Sequence, residues 1–137
     1  MKILIIEDNK QIQHLLAHML ENHGDLGFAE NGKVGLDHYQ QSVSDKSPFN
    51  LILLDIMMPE MDGFEMLRQL REWEGIHVSS DHRVKIAMLS SIGSPNNMLA
   101  CFEAGCDYYL VKPIIKSELY EILEKVEEWI SIMNENL

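Results

Sequence analysis

The chain has 137 residues, 46% hydrophobic and 24% charged, a balance that fits one ordinary globular domain and argues against disorder. Its 22 acidic and 11 basic residues leave a formal net charge of −11, which withholds the basic footprint that binding to a nucleic-acid backbone needs. Cys101 and Cys106 form neither a disulfide framework nor a CxxC motif, and MKILIIEDN reaches charge too soon for a signal peptide or a membrane span, so a cytoplasmic protein with reduced thiols is expected.

Lys2–Ile6 is a short apolar run that reads as a first strand and ends on Glu7 and Asp8. Asp8 or Asn9 can cap the helix that follows, whose apolar positions Ile12, Leu15, Leu16, Met19 and Leu20 recur at helical spacing. Gly24 ends it. Leu26–Glu30 reads as a weak second strand, and Asn31-Gly32 turns into a second helix carrying Val34, Leu36 and Tyr39. The polar stretch Gln41–Asn50, which contains Pro48, reads as a loop. In Leu51–Asp55 four apolar residues run directly into one carboxylate, the pattern of a strand buried on both faces. A third helix is predicted from Asp62 through Trp73, with Phe64, Met66, Leu67 and Leu70 as its apolar positions.

Glu74–Arg83 is predicted to be an unusually long connection, of the kind that is either functional or loose. Val84–Leu89 reads as a fourth strand delivering Ser90 and Ser91, and Ser94-Pro95 opens a fourth helix, Pro95–Ala104, that Gly105 ends. Cys106–Val111 reads as a fifth strand delivering Lys112-Pro113. A last helix runs from Lys116 with Leu119, Ile122, Leu123, Val126, Ile130 and Met133 on one face. Five strands alternating with five helices predict an α/β, doubly wound parallel sheet covered on both sides. The expectation is a single domain over 1–137, with no internal repeat and no output domain after the last helix.

The chemistry lies at the strand ends. In a doubly wound sheet these line one edge, which would gather Glu7, Asp8, Asp55, Ser90 and Lys112. Three carboxylates at close range repel one another unless a cation sits among them, and hard oxygen donors in that number suit Mg²⁺. Lys112 is a compact point charge suited to a carboxylate or a phosphoryl oxygen. The chemistry this permits is phosphoryl transfer onto Asp55, with the metal and Lys112 neutralising the charge that develops.

The order Glu7-Asp8, Asp55, Ser90 and Lys112-Pro113, with MPEMDG after the acceptor, resembles the receiver domain of two-component response regulators over Lys2 to about Met133. The resemblance implies a flavodoxin-like (βα)5 three-layer fold with strand order 2-1-3-4-5. It implies that Asp55 is the phospho-acceptor and that Glu7, Asp8, Asp55 and the Met57 main-chain carbonyl hold Mg²⁺ or Mn²⁺. Ser90 would be the switch hydroxyl, Lys112 the family's lysine and Tyr109 the aromatic that changes rotamer, while Pro113 would follow a cis bond. The implied partner is a sensor histidine kinase or a histidine phosphotransfer protein. A downstream effector would bind the Pro95–Tyr109–Lys125 face of the fourth helix, fifth strand and fifth helix, with the protein a monomer or a phosphorylation-promoted dimer. Direct nucleic-acid binding and membrane insertion are not expected, and the only catalysis would be autocatalytic phosphotransfer and autodephosphorylation. Met57 places an apolar side chain two residues after the acceptor, where it would slow the approach of water to an acyl phosphate; Ser91 stands where a small alanine is frequent.

Two other functions use similar residues. An aspartate-nucleophile phosphohydrolase of the haloacid-dehalogenase type wants a second aspartate two residues on as general acid, and that position is Met57. An unphosphorylated pseudo-receiver would not need the full set that this chain carries. His14 and His18 oppose the apolar stripe of their helix and read as solvated, as do His77 and His82 in a polar segment. Trp129 reads as core packing at the edge of the last helix's stripe.

Overall fold

The computed structural model describes residues 1–58, 60–91, 93 and 95–135. Its elements are β1 (Lys2–Ile6), α1 (Lys10–Leu20), β2 (Asp25–Ala29), α2 (Gly32–Ser44), β3 (Leu51–Asp55), α3 (Gly63–His77), β4 (Lys85–Ser90), α4 (Pro95–Ala104), β5 (Tyr108–Val111) and α5 (Lys116–Glu135). The five strands form one parallel sheet in the order β2-β1-β3-β4-β5, the doubly wound arrangement expected.

Alternation along the strands divides the core in two. Leu4, Ile6, Ile52, Leu54, Ile86 and Met88 point to the side covered by α2, α3 and α4, where they meet Tyr39, Met66, Leu67, Leu70 and Cys101. Ile3, Ile5, Leu51, Leu53, Ala87 and Leu89 point to the side of α1 and α5, against Leu16, Leu20, Leu119, Leu123 and Val126. Because both faces are covered, β3 is buried at every residue, Asp55 included.

Side-chain caps fix where three helices begin. Asn9 rather than Asp8 caps α1, its Oδ1 accepting from the amides of Gln11 and Ile12. Asn31 accepts from Val34 N and Asp62 from Glu65 N in the same way. The expected role of Ser94 at the start of α4 falls outside the described residues.

Several expectations need correcting. Helix α2 continues to Ser44 instead of giving way to a loop at Gln41. Ser42 is buried, and its hydroxyl donates to Tyr39 O at 2.6 Å and accepts from Phe49 N at 3.4 Å, so a residue that reads as polar loop belongs to the packing. Helix α3 runs on to His77, which shortens the predicted Glu74–Arg83 connection to the residues after His77, including a 3-10 turn at Ser80–His82.

The cause is Glu74, which is fully buried. Its carboxylate accepts from Tyr39 Oη (2.6 Å), Arg71 Nη1 (2.6 Å) and Val84 N (2.9 Å). Arg71 also donates to Gly105 O, Val84 O and Asp107 Oδ2, so one guanidinium ties α3 to the starts of β4 and β5. Asp107 Oδ2 accepts from Ile86 N as well, which is why regular β5 begins at Tyr108 and not at Cys106.

The inward face of α1 is set by Gln13, Leu16 and Leu20, and Leu15, read as part of the stripe, is 46% exposed. Val34 and Phe64 are exposed as well. His14, His18, His77 and His82 are exposed, and both cysteines are free and buried. Trp129 is partly buried against the α1/α5 core, with the Lys85 ammonium 4.9 Å from its ring centroid. Among the described residues no helix is long and apolar enough to cross a membrane.

Candidate functional site

All five strands point the same way, so their carboxyl ends share one edge. β1 and β3 are neighbours with Ile6 opposite Leu54, which sets Glu7 beside Asp55. Pairing of Asp55 with Leu89, and of Ser90 with Val111, adds the ends of β4 and β5. Carboxylate oxygens of Glu7, Asp8 and Asp55 lie within 4.8 Å of one another. Lys112 Nζ stands 2.9 Å from Glu7 Oε1 and 3.1 Å from Asp55 Oδ1, bridging two carboxylates of the cluster.

Exposure differs sharply among these groups: Glu7 is 0%, Asp55 3% and Ser90 1% accessible, while Asp8 faces solvent. Burial pushes the Glu7 carboxyl above its ordinary range; its hydrogen bond from Lys112 opposes the rise and Asp55 reinforces it. Asp8 is raised too, by partial desolvation and then by Glu7. Burial pulls the Lys112 ammonium down, but its bonds to Glu7 and Asp55 outweigh that and hold it above its usual value. Three carboxylates against one ammonium leave an excess of negative charge in a set of hard oxygen donors. That donor chemistry fits a divalent cation such as Mg²⁺.

The turn after Asp55 folds back beneath it. Gly63 N donates to Ile56 O at 2.9 Å, and a Cβ at Gly63 would sit 2.2 Å from the Asp55 carbonyl oxygen, so only glycine allows this approach. Met57 N lies 3.4 Å from Asp55 Oδ1, and the Met57 side chain is 63% exposed beside Asp55. Pro59 of the MPEMDG motif lies outside the described residues.

On the other flank, Lys112 N donates to Ser90 O at 2.7 Å and the Lys112–Pro113 bond is cis. Tyr109 on β5 is partly buried against the α3/α4 side of the core, and its hydroxyl accepts from Asn97 Nδ2 of α4 at 2.7 Å. A groove of about 560 Å³ runs along β5 between α4 and α5, lined by Phe102, Tyr109, Val111, Ile115 and Lys125 among others. Of its lining residues, Phe102, Val111 and Ile115 expose apolar surface.

Two residues near the site escaped the sequence reading. Gln13 is buried and its side chain donates to Glu7 O; its position three and seven residues before Leu16 and Leu20 was a usable signal. Asn97 touches Tyr109 across twelve residues of chain, and nothing in local periodicity marks it.

Comparison with known proteins agrees with this geometry. Transcriptional regulatory protein ResD of Bacillus subtilis is 36% identical over 119 residues, which cover 86% of this chain and 44% of ResD. The chain spans less than half the length of the first relatives it matches by sequence. Among solved structures, the chemotaxis protein CheY4 of Vibrio cholerae superposes with a TM-score of 0.75 at 28% identity, covering 91% of this chain and 97% of CheY4. The receiver domain of Ssk1 from Saccharomyces cerevisiae, solved with the histidine phosphotransfer protein Ypd1, gives a TM-score of 0.74 at 27% identity over 94% of this chain and 88% of that one. Residues 3–124 match the response regulator receiver domain, and the chain belongs to that family, whose members work in two-component signalling.

Proposed function

We propose that residues 1–137 act as one phospho-switched receiver, with Asp55 as the acceptor. An Asp55 carboxylate oxygen attacks phosphorus; the P–N bond of a phosphohistidine breaks, and its electron pair leaves with the imidazole, which takes up a proton. The donor is a sensor histidine kinase or a histidine phosphotransfer protein, in line with the Ssk1 receiver solved beside Ypd1. Glu7, Asp8, Asp55 and the Met57 main-chain carbonyl would hold Mg²⁺ or Mn²⁺, which when bound neutralises charge on the phosphoryl oxygens.

The protein's own groups do the rest. Lys112 keeps its positive charge at 3.1 Å from Asp55 Oδ1, where negative charge grows during transfer. Burial of Asp55 keeps bulk water from the acyl phosphate, and the Met57 side chain flanks its open side. The Ser90 hydroxyl donates to a phosphoryl oxygen, and Tyr109 moves in response. That motion changes the face of α4, β5 and α5 on which an effector docks. Apart from phosphotransfer to itself and slow loss of the group, the protein turns over no substrate.

The observation that carries this reading is Lys112 shared between Glu7 and Asp55 within a three-carboxylate cluster. Incubation with Mg²⁺ and acetyl phosphate tests it by mass spectrometry. One added phosphate that Asp55→Asn abolishes is the expected result. Multiple-turnover release from unrelated phosphomonoesters would instead favour a phosphohydrolase, and no reaction at all a pseudo-receiver.

A further inference from the structure

Six polar or charged residues are buried among those described: Glu7, Gln13, Ser42, Asp55, Glu74 and Ser90. Glu7, Asp55 and Ser90 belong to the site itself. Ser42 and Glu74 bind backbone and side chains around Tyr39, Phe49 and Val84, away from the acidic cluster. Gln13 alone of the remainder touches the site, because its Nε2 donates to the carbonyl of Glu7.

That carbonyl needs a donor. β1 ends at Ile6, so Glu7 is already past the regular ladder, although its amide still reaches Ala29 O at 3.1 Å. Glu7 is fully buried, and a buried carbonyl without a partner is strongly disfavoured. Gln13 supplies the partner from a helix held in the core by Leu16 and Leu20, so the position of α1 is passed to the turn that carries both acids.

Apart from the Glu7 amide bond to Ala29 O, the other ties of Glu7 engage its carboxylate. Asn9 N donates to Glu7 Oε2 at 3.3 Å, and Lys112 to Glu7 Oε1 at 2.9 Å. Both must adjust whenever that carboxylate changes partners. The Gln13 bond goes to main chain, so it keeps the turn in place while the carboxylate rearranges. A small cation that demands near-octahedral oxygens tolerates little drift in such a turn.

We propose that Gln13 is a positioning residue for the Glu7–Asp8 pair, setting its affinity for Mg²⁺ through the Glu7 carbonyl. The inference rests on the proposed metal site but can fail independently of it. Gln13→Met keeps length and helix propensity and removes the donor. Titration calorimetry with MgCl₂ on the full chain should give a Kd weaker by about tenfold, as for other supports one step removed from a metal.

Ser42→Ala is the control: it removes a buried hydrogen bond at the other end of the molecule, and should lower Tm without moving the Mg²⁺ affinity. A merely structural Gln13 would behave like Ser42. Equal Mg²⁺ affinity in Gln13→Met and wild type, to within about twofold, overturns the proposal while leaving the metal reading intact. Wild-type protein that binds no Mg²⁺ at millimolar concentration overturns both. Should Gln13→Met not fold, Gln13→Asn, shortened by one methylene, is read by the same criteria.

Discussion

Replacing Asp8 by asparagine is expected to stabilise the metal-free protein while removing most of its response to Mg²⁺. The perturbation deletes one of three carboxylates whose oxygens lie within 4.8 Å of one another. Unit charges about 4 Å apart interact by about 1 kcal/mol in water and about 4 kcal/mol at an effective dielectric near 20. Asp8 faces solvent, so each of its two repulsions belongs near the lower figure, about 1 kcal/mol. Lys112 already offsets part of the neighbouring charge. A net gain of about 1 kcal/mol remains, worth roughly 3–6 °C in Tm for a domain of this size. Wild-type protein should in turn gain about 2.7 kcal/mol from Mg²⁺ at about 100 times its Kd, most of which the variant loses. Calorimetric melts at low ionic strength, with EDTA and then with MgCl₂, measure both effects. A lower metal-free Tm in Asp8→Asn, or an undiminished Mg²⁺ increment, would refute the electrostatic reasoning.

Glu74→Ala should cost about 3–5 kcal/mol, because it strands Tyr39 Oη and Val84 N and removes one partner of a buried ion pair; urea midpoints check it. Tyr39→Phe in the Glu74→Ala background should add much less than it costs in wild type. Met57→Asn should shorten the lifetime of the phosphorylated form several-fold, followed by mass spectrometry after removal of acetyl phosphate; an unchanged lifetime counts against the shielding role. Burial pushes the Cys106 thiol up to about 12, so the folded chain holds this proton more tightly than the unfolded one. Its contribution to stability is complete below an unfolded value of about 8.5 and is lost as pH climbs from there towards the folded value. Urea midpoints should fall across that window more steeply than in Cys106→Ala, and at pH near 8 a thiol reagent should label Cys106 only on unfolding.

The order of elements and the acidic edge were legible because each strand carries its signal locally: an apolar run, then a polar residue with chemistry. Leu51–Asp55 is the clearest case, matching its strand at both ends. The errors fell where a polar residue is buried by partners distant in sequence. Glu74 reads as the start of a loop until Tyr39 and Val84 close around it, and Ser42 reads as loop until Phe49 returns to its hydroxyl. Gln13 was hidden differently, since treating the helix as an apolar stripe passes over an inward amide and favours Leu15, which solvent reaches.

The bridge from Lys112 to Glu7 joins residues 105 positions apart. During synthesis the acids of β1 and β3 emerge long before their counter-cation. A nascent chain ending short of residue 112 would therefore hold the carboxylates without the ammonium that balances them. The site is assembled only when β5 docks on β4 at the edge of the sheet. Under the role proposed for Asp55, phosphoryl acceptance would therefore also require that the carboxyl-terminal part of the fold has closed.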